Sequence, residues 1–574
     1  MFYDFLVPVP EASGKITRKK TASGTYLYYQ YGSVYHKEKR FCIPERAVIG
    51  KQSDGDACQM YPNRNFLRFF PGQELPDDRP WSARSCCLRI GSYIVIRSVI
   101  REYGLDRIIG NLAGGDAGLF LDLAAYSIVC EDNAGQYYPD YAYNHPLFTK
   151  DMRVHGDSTV SRFLASLTDD QRIGFLDAWN GTRKAKDKIY ISYDSTNKNC
   201  QAGDLEMVEF GHPKDDRGLP VFGYSIAYDV NNRVPLFYEE YPGSVADVSA
   251  LQDMLGKAKG FGYRNAAFIL DRGYFSRGNI DFMDRNGFSF ILMVKGMSPL
   301  VSSLVMGRAG SFETDRDCLV ERYGVYGTTV RRKLHPEDGK ERWFHIYYSA
   351  DKAAAGRDEL ERRIAHLASL LRKGKGKAFD YGPLYSRYFS LFMDGKKGTL
   401  AFWEEKKEVV SQDLRLCGYY VIVTSDEMTA ADALTLYKGR DPSEKLFRGD
   451  KSYLGDKSMR VCSDGLCASK ILIEFVALII RNRMYCLLKD ADLSDGGPRR
   501  NYMTVPAAVK ELEKIEMVRL SDNIYRMDHA VTATQKTILN AFGMDSDQVR
   551  DEAKAISDLL ESLDPGKKPA GKEA

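Results

Sequence analysis

The segment from 188 to 295 constrains the fold more than any other part of the chain, because its hydrophobic period switches repeatedly between two and 3.6. KIYISYD (188–194) is apolar on both faces, the pattern of a central strand. LPVFGYSIAYDV and RVPLFYEEY read as two strands joined across Asn231 and Asn232, a hairpin turn pair. VADVSALQDMLGKA then places Val248, Leu251, Leu255 and Ala258 on one helical face, with Ser244 and Asp247 as a capping box. AAFILD (266–271), a helix from Arg277 to Asn286 stopped by Gly287, and FSFILMVK (288–295) complete the order β-β-β-α-β-α-β. The fold class expected is α/β with a mixed sheet.

That order resembles the ribonuclease-H-like arrangement, in which the first and fourth strands are neighbours. Asp194 and Asp271 each end an apolar run, so they would meet at adjacent strand ends despite 76 intervening residues. Such ends are where ligands collect in an α/β sheet. Far downstream, Tyr437, Arg440, Glu444 and Lys451 stand three, four and seven residues apart. At about 100° per residue, those steps bring all four within roughly 60° on one helix face. Asp194, Asp271 and Glu444 then supply the hard oxygen donors that a pair of Mg²⁺ ions needs for phosphoryl transfer. Arg440 and Lys451 would clamp the phosphates of a DNA strand, and Tyr437 would donate a hydrogen bond or pack on a sugar. Asp441-Pro442 interrupts the stripe, since proline removes a helical hydrogen bond and disfavours α geometry before it. Either the helix kinks there, helped by Gly439, or it starts at Asp441 with Glu444 at its third position. The second option takes Tyr437 and Arg440 off the common face.

Length and charge narrow the remaining classes. A chain of 574 residues exceeds one compact core, and three to five structural units are expected. The longest purely apolar run within SKILIEFVALIIRNRMYCLLK is Phe475 to Ile480, bounded by Glu474 and Arg481, so a buried helix is expected and no membrane partner. MFYDFLVPVPEASGK lacks a basic leader, and no signal peptide is expected. Eleven cysteines without a CxxC pair and eight histidines without ligand spacing argue against structural zinc; reduced thiols in a cytoplasm, nucleoid-associated, are the expectation. A net charge of +3 excludes a uniformly basic coat, yet residues 15 to 51 hold nine Lys or Arg against Glu38 and Glu45. Tyr26, Tyr28, Tyr29, Tyr31 and Tyr35 interleave with them. The patch reads either as a phosphate-contacting surface or as a solvated hairpin face over a small tyrosine core.

The expected organisation is a β-rich N-terminal module (1–87) with DNA contact, a helical module (88–185), and a first core part (186–297). An insertion domain (298–414), a second core part (415–490), a C-terminal α/β appendage (491–563) and a disordered tail (564–574) follow.

Tyr437, two residues, Arg440, three residues, Glu444, six residues, Lys451 resembles the YREK signature of DDE transposases of the insertion-sequence-four-like group. ISYDSTN, ILDRGYFSRGNI and YKGRDPSEKLFRGDKSYLG resemble that group's two aspartate blocks and its glutamate block, and TYLYYQYGSVYHKEKRFCIPERAVIGK the opening of a longer-chain subgroup. The resemblance implies a ribonuclease-H-like core, Asp194, Asp271 and Glu444 as catalytic metal ligands for Mg²⁺ (or Mn²⁺), and Tyr437, Arg440 and Lys451 as DNA contacts. It further implies nicking at the ends of a bacterial mobile element, attack of the freed 3′-hydroxyl on target DNA, and a homodimer pairing two ends. In relatives that form a hairpin, a tryptophan of the insertion stabilises a flipped base, and Trp343 and Trp403 are the candidates here. MRVCSDGLCASK departs from the group by lacking histidines. Alternatives are a DNA-binding protein without chemistry on the same fold and a nuclease that cuts without joining.

Overall fold

The computed structural model describes residues 2–3, 5–12, 15–21, 24–37, 40–72, 84–183, 188–200, 205–211, 218–245, 247–295, 299–373, 381–394, 399–440, 454, 458–494, 503–519 and 524–563. Two units emerge, one of residues 1–163 with 484–574 and one of residues 164–483.

In the first unit, strands β1 (Val7–Pro8), β2 (Ile16–Thr21), β3 (Gly24–His36), β4 (Phe41–Gln52) and β5 (Gln59–Pro62) form a sheet in the order β1-β5-β4-β3-β2. Its small core is Val7, Leu27, Ile49, Met60 and Phe66. Helices follow from Gly91 onward, and β6 (Cys87–Arg89) pairs with a strand at Glu516–Arg519, which pairs in turn with Tyr525–Met527. The first residues of the helical module and the C-terminal appendage therefore share one sheet, a long-range pairing that no local pattern announces.

The apolar segment Leu105–Cys130 is long enough by composition to cross a membrane. Here it is two helices, Leu105–Ala113 and Ala117–Cys130, broken where Gly114 takes a positive φ of 53°. The second buries Asp122, whose carboxylate accepts the backbone N–H of Phe148 (2.6 Å) and of Thr149 (3.1 Å). Those bonds clamp the segment after His145 onto the helix.

The second unit is built on the sheet that the sequence pattern anticipates. Its strands are β7 (Ile189–Cys200), β8 (Val221–Asp229), β9 (Val234–Pro242), β10 (Ala266–Leu270), β11 (Ser289–Met293), β12 (Leu319–Val320), β13 (Val325–Lys333), β14 (Glu341–Tyr348) and β17 (Tyr419–Thr424), with β15 (Phe389–Met393) and β16 (Leu400–Glu405) forming a separate hairpin. The order is β12-β13-β14-β17-β11-β10-β7-β8-β9, and a short β18 (Ser458–Met459) pairs with the far end of β7. All residues of β8 and β10 are buried, as strands covered on both faces must be. The β8–β9 turn is fixed by Asp229, which accepts the backbone N–H of Asn231 and Asn232. Ser276 caps the helix Arg277–Asn286, and Gly287 ends it at φ 72°.

Two expected boundaries shift. The helix Asp169–Gly181 belongs to this unit, since Trp179 donates to Pro235 O (2.9 Å) and Asn180 to Leu236 O (3.0 Å). The segment expected as one insertion at 298–414 divides: β14 pairs along its length with β17, so residues through Tyr348 extend the main sheet. The helix Ala350–Lys373 then packs with the β15–β16 hairpin around Leu360, Ile364, Leu371 and Phe389. The expected Ser244–Asp247 capping box depends on residues 246–248, whose side chains lie outside the described set, as does the tail 564–574.

Burial pushes the Asp122 carboxyl up to about 7, outweighing the two backbone N–H donors and the Arg84 guanidinium. The folded state thus holds a proton that the unfolded chain releases near pH 4. The stability this supplies is present below the ordinary carboxylate range and is lost as pH rises toward about 7. Asp122→Asn should flatten the fall in Tm of the full chain between pH 5 and 8, measured by scanning calorimetry against the wild type. Equal slopes for the two proteins would show that Asp122 is not the titrating group.

Candidate active site

Parallel pairing of β10 with β7 runs from Ala266↔Ile189 to Leu270↔Tyr193. One residue further along each chain stand Asp271 and Asp194. The two carboxylate-bearing residues are therefore level on neighbouring strands, as the expected strand adjacency requires.

Asp194 departs from expectation in one respect. It does not end its strand: β7 continues to Cys200, held by β8 through Asn199↔Val221. What ends at Asp194 is its pairing with β10, and β18 takes up the same side of β7 only at Asn199 and Cys200. Asp194, half-buried, stands between those two pairings. The backbone N–H of Ser195 donates to Asp194 Oδ1 (2.8 Å), and the Ser195 hydroxyl meets the Tyr274 hydroxyl at 2.6 Å. Tyr274 lies in the single 3₁₀ turn, Arg272–Tyr274, that follows Asp271. This tie between the two aspartate segments was not legible in the sequence. ILDRGYF places Tyr274 three residues after Asp271, but nothing local says that it crosses to β7.

The helix Ala430–Lys438 supplies the other side. Thr429 caps it by accepting the backbone N–H of Asp432 (3.1 Å). Leu434 and Tyr437 enter the core beside Ile269, Ile291, Tyr347 and Ile422. Tyr437 is 4% exposed, and its hydroxyl donates to Asp271 Oδ1 at 3.2 Å. Arg440 Nη1 lies 3.3 Å from the same oxygen, and its guanidinium carbon sits 4.8 Å from the centroid of the Tyr437 ring. Asp271 Oδ2 has no partner among the described residues.

The one-face stripe expected through the signature runs into residues outside the described set, so only its first half is placed. The helix ends at Lys438 with Gly439 as its cap, and Arg440 lies in the turn beyond it. Tyr437, in the last turn of the helix, and Arg440, just beyond its cap, converge on Asp271. Glu444 and Lys451 lie outside the described residues. Among the described residues no group of three or more metal-ligating side chains occurs, so the described acids alone do not complete a site. Two carboxylates level on adjacent strands, one with an uncommitted oxygen, are a donor set suited to a hard divalent cation.

Each candidate tryptophan has ring contacts of its own. Trp403 packs edge-on against Phe389 (5.3 Å between centroids) on the β15–β16 hairpin. Trp343, on β14, is covered by Arg331 at 5.4 Å.

Sequence reading also missed a buried charge pair behind the site. Lys198, on β7 and fully buried, places Nζ 3.7 Å from Glu474 Oε2 on the long helix Asp464–Ser494, and 4.2 Å from the centroid of the Tyr224 ring. Burial pushes nearby Glu240 up to about 7.

Residues 191–464 match the family model described as the transposase DDE domain. The fold and the match together define a polynucleotidyl-transferase class of enzyme. A transposase DDE domain therefore lies within the second unit. Among solved structures, the chain is similar to a piggyBac transposase synaptic complex with hairpin DNA at 6% identity and a TM-score of 0.31, covering 73% of this chain and 67% of that one. It is also similar to a Mos1 transposase paired-end complex with left transposon end, at 13% identity and a TM-score of 0.14, covering 40% of this chain and 65% of that one. Likenesses this slight carry no weight for fold or chemistry. Comparison with curated proteins finds no match.

Removing Glu474 while Lys198 stays takes the buried cation's counter-charge away, whereas replacing both leaves an apolar contact. Glu474→Leu should cost about 3–5 kcal/mol in urea denaturation, and adding Lys198→Met should recover most of it. A double variant no more stable than the single one would show that the pair is not what fastens the helix to β7.

Proposed function

We propose that the chain mobilises a bacterial insertion sequence of the insertion-sequence-four-like group, on a ribonuclease-H-like core. It cleaves the element ends and transfers the freed 3′-hydroxyl to target DNA. The observation that carries this reading is the level placement of Asp194 and Asp271 on neighbouring parallel strands, with Tyr437 and Arg440 of the signature segment converging on Asp271.

In this reading Asp194, Asp271 and Glu444 hold two Mg²⁺ ions, for which Mn²⁺ substitutes. Bound there, the ions supply Lewis-acid stabilisation of an in-line displacement at phosphorus. Covalent geometry limits the Cα of Glu444, four residues after Arg440, to within about 14 Å of that of Arg440, which supports its joining the two aspartates. Tyr437 holds the Asp271 carboxylate in one orientation. Arg440, stacked on Tyr437 and mostly buried, offers charge toward a phosphate entering beside the carboxylates, and Lys451 would extend that clamp. A homodimer would bring two element ends together.

The test uses the purified full chain and duplexes carrying the element ends found in the DNA that flanks its coding sequence. Cleavage and strand-transfer products should form with Mg²⁺ or Mn²⁺ and vanish with chelator. Asp194→Asn, Asp271→Asn and Glu444→Gln should each lower both by more than about 10³-fold, since groups acting as a unit fail together. Full activity in any of the three would sink the assignment, and cleavage without joined products would point to a nuclease instead.

Tyr437→Phe keeps the ring in the core but removes the hydroxyl on Asp271. Cleavage should fall roughly 10- to 100-fold, the scale of losing a partner that orients a metal ligand, while Tm changes little. Unchanged rates in this variant would leave Tyr437 with a packing role alone.

A further inference from the structure

The N-terminal sheet is packed at one end only. Leu27 and Ile49, in the proximal halves of β3 and β4, are fully buried. Beyond Gln30 and Arg46 the two strands continue, among the described residues, as a two-stranded ribbon, paired Val34↔Ile43, Tyr35↔Cys42 and His36↔Phe41. The hydrogen bond from Arg40 N to His36 O, with Arg40 at φ 53°, closes its tip. Both faces of this ribbon are open: Val34 is 56% exposed, Tyr35 58%, Phe41 53% and Ile43 36%. Directly paired residues share a face, so Val34, Ile43 and Phe41 form one apolar surface. A two-stranded edge with this much exposed apolar surface is a liability unless it has a partner.

Charge says which partner. Exposed Arg18, Lys19 and Lys20 line β2 at the base, Lys37 and Arg40 sit at the tip, and Arg46 stands on β4, with Glu45 the one acid on these strands among the described residues. Cations along both ends of an apolar ribbon fit a polyanion whose charge lies in two rails with an uncharged floor between them. A two-stranded β-ribbon also matches the width of the major groove of duplex DNA, whose floor presents thymine methyl groups.

We propose that the β3–β4 ribbon enters the major groove of duplex DNA, with Val34, Phe41 and Ile43 against base edges and Lys37, Arg40 and Arg46 on flanking phosphates. This rests on the reading that the chain acts on DNA, and assigns to the ribbon a binding surface separate from the carboxylate site.

The test measures binding of the full chain to a labelled element-end duplex by fluorescence anisotropy across a salt series. Lys37→Ala, Arg40→Ala and Arg46→Ala together should make the slope of log K against log salt shallower by about 2.7, at about 0.9 for each phosphate no longer neutralised. Val34→Thr, Phe41→Thr and Ile43→Thr keep strand-forming residues at exposed positions. Together they should weaken binding at least ten-fold with the slope unchanged. Replacing thymine by uracil should weaken the wild type but not the threonine variant, and a minor-groove ligand such as distamycin should leave binding intact. Wild-type affinity in both ribbon variants, while the wild type still cleaves with Mg²⁺, would overturn the ribbon proposal and spare the function. A change in sedimentation coefficient of the DNA-free threonine variant, with DNA affinity unaltered, would assign the ribbon to a second copy and overturn it as well. A wild type that binds no duplex would overturn both.

Discussion

The parallel pairing of β10 with β7 is the constraint on which the rest of the catalytic unit depends. Parallel neighbours need a crossover, and here that crossover contains the β8–β9 hairpin and a helix before the chain returns. The return places five fully buried residues, Ala266 to Leu270, between β7 and β11. Each large side chain among them gains about 1.5–3 kcal/mol from burial, so a shifted register would expose apolar surface and is strongly disfavoured. Register is also what sets Asp271 level with Asp194. The chemistry is thus tied to the part of the sheet with least freedom to move.

Around that pair, the fold supplies polar contacts from opposite directions. Tyr437 reaches Asp271 from a helix end whose Leu434 packs in the same core as Ile269. Tyr274 and Ser195 join the two aspartate segments through their hydroxyls. Behind β7, Lys198 and Glu474 link the strand to the long covering helix, an arrangement costly to bury and so informative about register when it occurs. Asp194 and Asp271 each stand one residue past the last paired positions of β7 and β10.

Much of this was legible in local pattern. The runs at 188–194, 266–271 and 288–295 gave strands, Gly287 gave a helix end, and the β8–β9 turn followed from its asparagines, because hydrophobic period and turn chemistry act over a few residues. The β14–β17 pairing was not legible. RWFHIYYSA reads as a strand wherever it lies, and only the unpaired side of β17 decides that it extends the main sheet. The same holds for β6 with Glu516–Arg519, where more than four hundred residues separate the partners.

Sequence alone determined the chemical inventory: which acids follow apolar runs, the spacing of Tyr437, Arg440, Glu444 and Lys451, and the basic aromatic stretch between 15 and 51. It determined these because residue identity and short-range periodicity need no knowledge of distant partners. Tertiary structure decided where each piece points. It ended the helix at Lys438 and turned Arg440 onto Asp271, carried β7 past Asp194, and left Val34, Tyr35, Phe41 and Ile43 of the β3–β4 ribbon exposed. Those outcomes depend on burial and pairing between segments far apart in the chain, and they exist only once the chain has folded.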